Sequence, residues 1–261
     1  MFLPQLLKKS ATGEKLAVLT CYDASFARCM ARAGVDILLV GDSLGMTVQG
    51  HGTTLPVSLE HMIYHTAAVV RGAEGLFTMA DLPFGSYQES PAQALAASTR
   101  LLAAGANMVK LEGGAVMVDT VAFLSQRGIP VCAHLGLLPQ SVNQTGYRAQ
   151  GRERKAAEQL IKDAAALEAA GAQMLVLEAI PTLLATEVTQ LLRIPTIGIG
   201  AGPHCSGQVL VLHDAIGLTG KPPRFARNFM PEAADIETAL QAYVHAVKAG
   251  TFPGPEHETP A

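Results

Sequence analysis

The chain has 261 residues, 49% of them hydrophobic and only 5% aromatic, with no Trp. That length fits one α/β barrel, for which about 250 residues is typical, and the shortage of aromatics calls for the aliphatic core that buried parallel strands use. A formal net charge of -3 gives no electrostatic reason for nucleic acid or an anionic membrane as partner, and no stretch approaches the ~18 apolar residues of a membrane span, so a small molecule is the expected partner.

Residues 2–9 read as a short amphipathic helix at one end of the domain. From there an alternation begins. Residues 16–20 read as a strand and 24–33 as a helix, with Gly34 where a left-handed C-cap is wanted. Residues 37–40 form an apolar strand buried on both faces, ended by Gly41 and followed by Asp42 and Ser43. A helix over 58–71, capped by Ser58 and closed by Gly72, leads to a strand over 76–80 that ends in Asp81. An Ala-rich helix over 91–104, closed by Gly105, leads to a strand over 108–111 interrupted by Lys110 and followed by Glu112.

The second half repeats the pattern. A helix over 116–126 closes at Gly128, and a strand over 129–133 ends at His134. A long polar loop over 136–152 precedes a helix over 155–170, closed by Gly171, and a strand over 174–177 that ends in Glu178. A shorter helix over 183–192 leads to the strand 196–199 within GIGAG. A last strand over 209–212 ends in His213 and Asp214, and a helix over 232–248 has Pro231 at its start. The tail from about residue 251, with three prolines and little apolar content, is expected to lack fixed structure.

Eight strands in this alternation imply parallel pairing with right-handed crossovers. No linker or composition break interrupts them, and none reads as a polar edge strand, so a closed (β/α)8 TIM barrel in a single domain over 1–261 is expected. Cys21, Cys29, Cys132 and Cys205 form no CxxC pair, and the N-terminal stretch has no basic region followed by an apolar core. The expected location is therefore the reducing cytoplasm, without disulfides or zinc.

In such a barrel Asp42, Asp81, Glu112 and Glu178 fall on one rim, with Lys110 in the strand leading to it. One acid after a strand commonly caps a helix or holds a turn. Four gathered in a partly buried mouth repel one another, and an oxygen-only donor set points to a hard divalent ion, Mg2+. Lys110 could neutralise the acids, bind a substrate carboxylate or form a Schiff base, and Glu178 among apolar residues suits proton abstraction. The glycines of GIGAG could expose backbone N–H groups to phosphate or serve only close packing. His61 and His65 have the spacing of a zinc pair, but their helix lies outside the barrel, where a solvated face is expected.

The motifs LLVGDSLGM, GHGTTLPVSLEHM, ADLPFGSY, MVKLEGG, AHLGLLPQSV, LVLEAIP, IPTIGIGAG and GQVLVLHDAIGL, in this order, resemble the ketopantoate hydroxymethyltransferase family over nearly the whole length. The resemblance implies a barrel of the phosphoenolpyruvate/pyruvate type, Mg2+, and 5,10-methylenetetrahydrofolate as co-substrate for one-carbon transfer to an α-keto acid. It implies Asp42 and Asp81 as metal ligands, with Glu112 completing the site directly or through water. Asp42, Ser43, Asp81 and Lys110 would contact the keto acid, and Glu178 would be the proton acceptor. A homodecamer is implied as well. In AGPHCSGQ, Ser206 stands where the family pattern commonly has Asp, which is expected to alter loop hydrogen bonds and not the chemistry. Two other functions fit the same rim: a Mg2+-dependent lyase or mutase, which would need a reactive Cys in a mobile loop, and a keto-acid-binding barrel without catalysis.

Overall fold

Alternate residues of each strand face two different apolar environments, which is why the strands read as unbroken apolar runs. In the computed structural model, which describes residues 1–259, the strands are β1 (Leu16–Thr20), β2 (Ile37–Val40), β3 (Phe77–Asp81), β4 (Met108–Glu112), β5 (Val131–Gly136), β6 (Met174–Glu178), β7 (Thr196–Ile199) and β8 (Gly207–Leu210). All pair in parallel and in sequence order, and β8 returns to β1 to close the barrel. In β1, Leu16 and Val18 join the cluster inside the barrel, while Ala17 and Leu19 join the larger one between strands and helices. The same parity puts Phe77, Met79, Met108, Cys132, Met174 and Val176 inside.

The helices are α1 (Leu3–Ala11), α2 (Ala24–Ala33), α3 (Leu44–Thr47), α4 (Leu59–Gly72), α5 (Pro91–Ala103), α6 (Val118–Ser125), α7 (Val142–Thr145), α8 (Arg154–Ala169), α9 (Thr182–Leu191), α10 (Leu212–Ala215) and α11 (Ile236–Lys248). Local chemistry starts and stops them. Asp23 caps α2 by accepting from the N–H groups of Ser25 and Phe26, and Gly34 closes it at φ 83. Helix α1 crosses the floor of the barrel and places Leu6, fully buried, in the interior cluster.

Several boundaries differ from the sequence reading. The connection from β7 to β8 is residues 200–206 and holds no helix, because GAGPHCS has neither the length nor an apolar stripe for one. Helix α11 begins at Ile236, where Asp235 caps it by accepting from the Thr238 N–H at 2.8 Å; the stretch after Pro231 is a single 3-10 turn. Gly72 ends α4 as expected; it is glycine because a side chain there would collide with the backbone of Ala24, so it lets α4 approach α2. The tail from 251, expected to lack fixed structure, packs against the barrel as far as Thr259. Phe252 is buried against Phe229 and Tyr243, and Thr259 Oγ1 donates to the Gly200 carbonyl at 2.6 Å. Residues 260 and 261 lie outside the described residues. Ser206 pairs with Thr196 in both directions, N–H to hydroxyl, at the N-terminal end of β8 and away from the acidic rim.

Candidate active site

The inward parity that packs the barrel floor also delivers the polar residues at its mouth. Met108, Lys110 and Glu112 alternate along β4, so all three face inward; Met79 and Asp81 do so on β3, and Val176 and Glu178 on β6. Register then sets neighbours: Asp81 lies beside Lys110, Glu112 beside His134, and Gly136 beside Glu178. All of Asp42, Ser43, Asp81, Lys110, Glu112 and Glu178 line one cavity of about 760 Å³, so the predicted site residues come together without exception.

Their geometry is specific. The Lys110 ammonium lies 2.6 Å from Asp81 Oδ1, and Asp81 Oδ2 accepts the backbone N–H of Asp42 at 3.0 Å. Ser43 stands at the start of α3 without capping it, and its hydroxyl shares a 2.9 Å hydrogen bond with the buried Tyr22 hydroxyl. Gly41 has no room for a side chain, because a Cβ would stand 2.8 Å from Ser43 Oγ. Burial alone would lower the Lys110 pKa, but Asp81, Glu112 and Asp42 together raise it above the ordinary ammonium range. Lys110 is therefore a fixed cation, which is the wrong state for Schiff-base formation. Burial, with repulsion from Asp81 and Glu112, pushes the Asp42 carboxyl up to about 8.

Two residues outside the sequence-derived set complete the cluster. His134 lies between two acids, with Nε2 3.3 Å from Glu178 Oε2 and Nδ1 3.6 Å from Glu112 Oε1. These are ion-pair contacts, longer than well-formed hydrogen bonds. Burial would lower its pKa, yet Glu112 and Glu178 raise it to about 9, so the imidazolium is the form this position favours. Glu112 is likewise penalised by burial and still held below the usual carboxylate range, chiefly by His134. The sequence did carry a signal for His134, since it shares strand parity with the inward Cys132.

Gln140 carried no such signal. It sits in the stretch read as a polar loop, yet it is buried: Nε2 donates to Asp42 Oδ2 and to the Leu82 carbonyl, both at 2.9 Å, and its backbone N–H donates to Glu112 Oε2 at 3.0 Å. Tyr87 fixes it in turn, donating its hydroxyl to Gln140 Oε1 at 2.7 Å while accepting the Glu112 N–H at 3.0 Å. One residue thus holds two of the site's acids in place, Asp42 through its side-chain amide and Glu112 through its backbone N–H. After Glu178 the backbone is strained, with Ala179 at φ 48, held by its N–H to the Ile199 carbonyl and by its own carbonyl accepting from Gln150. Gly136 is required here too: a side chain at its φ of 99 would run into the Glu178 carbonyl.

The remaining motifs resolve into packing. Gly200 and Gly202 lie against Phe225 and Thr182, which accounts for GIGAG by close approach. His61 Nδ1 accepts the Ser58 N–H and His65 Nδ1 meets the Tyr22 carbonyl, so the two histidines serve separate partners. Among the described residues no three His, Cys, Asp or Glu groups converge closely enough to hold a metal by themselves. Among the described residues no helix is long and apolar enough to cross a membrane. Cys132 and Cys205 are both buried, and burial pushes the Cys132 thiol up to about 12, so neither supplies the loop thiol of the lyase reading.

Among solved structures, the chain is similar to phosphonopyruvate hydrolase in complex with oxalate and Mg++, with a TM-score of 0.64 at 13% identity over 84% of each chain. It is also similar to 2,3-dimethylmalate lyase, a PEP mutase/isocitrate lyase superfamily member, with a TM-score of 0.60 at 18% identity, covering 83% of this chain and 82% of that one. These likenesses establish the barrel fold. At the level of sequence, 3-methyl-2-oxobutanoate hydroxymethyltransferase of Thiobacillus denitrificans is 64% identical over 246 residues, 94% of each chain. The protein of the same name from Nitrosospira multiformis is 62% identical over 247 residues, again 94% of each. The family model described as ketopantoate hydroxymethyltransferase matches residues 1–255. With that match over nearly its whole length, and the family's acidic motifs gathered in one cavity, the chain belongs to the ketopantoate hydroxymethyltransferase family.

Proposed function

We propose that this cavity transfers a one-carbon unit from 5,10-methylenetetrahydrofolate to C3 of 3-methyl-2-oxobutanoate, giving 2-dehydropantoate, the step the family's name assigns to pantothenate synthesis. The observation that carries the reading is Glu178, held by His134 at the edge of the cavity that Asp42, Asp81 and Lys110 floor. A base facing a fixed cation across a small-molecule cavity is what enolisation of a keto acid requires.

The donor set fits a hard divalent ion. Asp42 and Asp81 are joined through the Asp42 N–H and both line the cavity, and among the described residues the one cation paired with either is Lys110, on Asp81. Asp42 and Asp81 would hold Mg2+ directly. Glu112, whose oxygens already meet His134 and the Gln140 N–H, would act through water, in keeping with the lack of a compact three-group set among the described residues. When bound, the ion supplies a Lewis acid for the keto group.

The chain's own residues account for the remaining steps. Ser43, oriented by Tyr22, donates to the substrate carboxylate, and Lys110 stabilises negative charge as it moves onto the keto oxygen. Glu178 takes the C3 proton, and His134, 3.3 Å from its Oε2, holds it at the cavity edge beforehand. C3 then bonds to the methylene carbon as one of that carbon's two bonds to nitrogen breaks; the hydroxyl of a water replaces the second nitrogen, and the water's other proton and the one taken by Glu178 end on the two nitrogens of the departing tetrahydrofolate. The protein is proposed to work as a cytoplasmic homodecamer; a light-scattering mass of one subunit would refute the assembly.

Purified protein with Mg2+ is expected to exchange the C3 proton of 3-methyl-2-oxobutanoate in deuterated water, and to form 2-dehydropantoate once 5,10-methylenetetrahydrofolate is added. Exchange that survives a chelator would overturn the metal role. Product absent with both substrates present would overturn the function. A keto-acid-binding barrel without catalysis would show affinity and no exchange.

A further inference from the structure

The cavity is larger than its keto-acid end needs. About 760 Å³ falls within the roughly 300–1,000 Å³ of sites that enclose drug-sized ligands, and a five-carbon acid fills only part of it. The remainder is walled by side chains the keto-acid chemistry does not use. Met46 and Tyr147 touch each other through the Tyr147 hydroxyl and the Met46 sulfur at 3.7 Å, and both are well exposed at 40% and 54%. Leu218, 66% exposed, and the half-buried Phe225 line the same cavity from the segment after β8. Large apolar groups left in water around one cavity mark a surface that a flat apolar ligand covers.

Within that wall is a buried carboxylate without a cation. Asp214, on the one-turn helix α10, lines the cavity and is only 6% exposed. Among the described residues it makes no ion pair, and the adjacent His213 acts on it only through the field of its charge. Burial raises its pKa, relieved in part by the Thr219 hydroxyl. His213 also lines the cavity, with its ring 5.6 Å from that of Tyr22, and its Nδ1 is enclosed without a hydrogen-bond partner. An enclosed His213 Nδ1 without a partner, beside a cavity-lining carboxylate that no cation pairs, points to a ligand that supplies hydrogen bonds there.

The keto acid cannot be that ligand, because it offers no N–H donor and its own carboxylate would repel Asp214. A reduced pterin can. Its pyrimidine edge carries two adjacent N–H donors, from the 2-amino group and N3, which match the two oxygens of one carboxylate, and the rest of the ring is flat. We infer that Asp214, with the wall formed by Met46, Tyr147, Leu218 and Phe225, is the subsite for the pterin ring of the one-carbon carrier. The inference rests on the one-carbon reading of the site, and it places carrier and keto acid in a single cavity, where the methylene carbon can reach C3.

The test measures tetrahydrofolate binding by calorimetry under argon, with 3-methyl-2-oxobutanoate and Mg2+ present. Proton exchange, which needs no folate, is followed in parallel. Asp214→Asn is expected to weaken tetrahydrofolate at least tenfold, and 6-methyltetrahydropterin, which lacks the tail, by a similar factor. The keto-acid KM for exchange should stay within about twofold. Leu218→Ser, at an exposed position that folding does not need, is expected to weaken tetrahydrofolate by about three- to tenfold, and it decides the matter should Asp214→Asn fail to fold. Unchanged tetrahydrofolate affinity in the folded variants, or a loss of exchange that parallels the loss of affinity, overturns the assignment. Wild-type protein that exchanges no proton overturns the one-carbon reading itself, and the subsite with it.

Discussion

At the floor of the barrel, Asp36 and Glu14 are met by Lys9 and Lys248, with ammonium-to-carboxylate distances from 2.6 to 3.1 Å, and Asp36 also accepts the Ala17 N–H. At the mouth, among the described residues, Asp81 is paired with Lys110, Glu112 and Glu178 share His134, and Asp42 has no ion-pair partner. The floor is balanced, two acids against two bases, and each charge ties one piece of chain to another: α1, the start of β2 and α11. The mouth carries an acid surplus that the protein itself leaves uncompensated. Each end has a buried acid, Asp36 and Asp81 both under 4% exposed, but the floor's Lys9, Glu14 and Lys248 reach water while Lys110 and His134 at the mouth are enclosed. Charge balance together with enclosure therefore separates a latch from a site that awaits ligands.

The largest effect that would break this contrast is expected at Glu178. Glu178→Gln keeps the shape of the side chain and removes the base, so exchange and turnover should fall by roughly 10²–10⁴-fold, with the melting temperature nearly unchanged. Exchange at the wild-type rate would make the mouth another latch. Asp81→Asn comes next. It leaves the Lys110 ammonium, 6% exposed, without its 2.6 Å partner, and breaking a buried pair costs about 3–5 kcal/mol. Urea denaturation should show that loss together with a loss of Mg2+ affinity; an unchanged midpoint would mean that the pair is not coupled. Leu6→Ala tests the floor: removing a fully buried plug should cost about 2–5 kcal/mol, while kcat/KM measured well below the melting temperature stays within about twofold.

How much of this was legible in the chain follows from range. The strands were readable because a residue's inward or outward direction depends only on its parity, and the acids at their ends came with them. The left-handed cap at Gly34, at φ 83, follows from backbone sterics alone. Gly72 does end α4 as read, but the reason it is glycine lies in another helix; the start of α11 misled because Pro231 is a weaker local signal than the Asp235 cap. Gln140 could not be read, since its burial depends on Tyr87 and Asp42, 53 and 98 residues away in sequence. The tail misled for the same cause: composition suggested disorder, and Phe252 finds its apolar partners only in the folded barrel.

The smallest expected effect is a pair of opposite pH dependences. The His134 pKa is depressed by burial but raised further by Glu112 and Glu178, to about 9. A group raised in the fold contributes stability that is fully present below its unfolded value, about 6.5, and is lost as pH rises through about 9. Glu14 runs the other way. Lys248 holds its carboxyl below the usual range, against burial and with help from Lys9, so its contribution is present above the unfolded value and lost as pH falls through the folded one. Chelator-treated protein should therefore lose melting temperature at the alkaline end through the mouth and at the acid end through the floor. Asp42, pushed up to about 8, also destabilises with rising pH and is only half ionised at pH 8, so its limb overlaps that of His134 and the variant separates the two. His134→Gln should make the alkaline limb shallower, leaving the Asp42 part, and leave the acid limb alone, while Glu14→Gln should soften only the acid limb. An alkaline limb of undiminished size in His134→Gln would mean that the imidazolium between the two glutamates is not part of the resting site, and the charge count at the mouth would have to be redrawn without it.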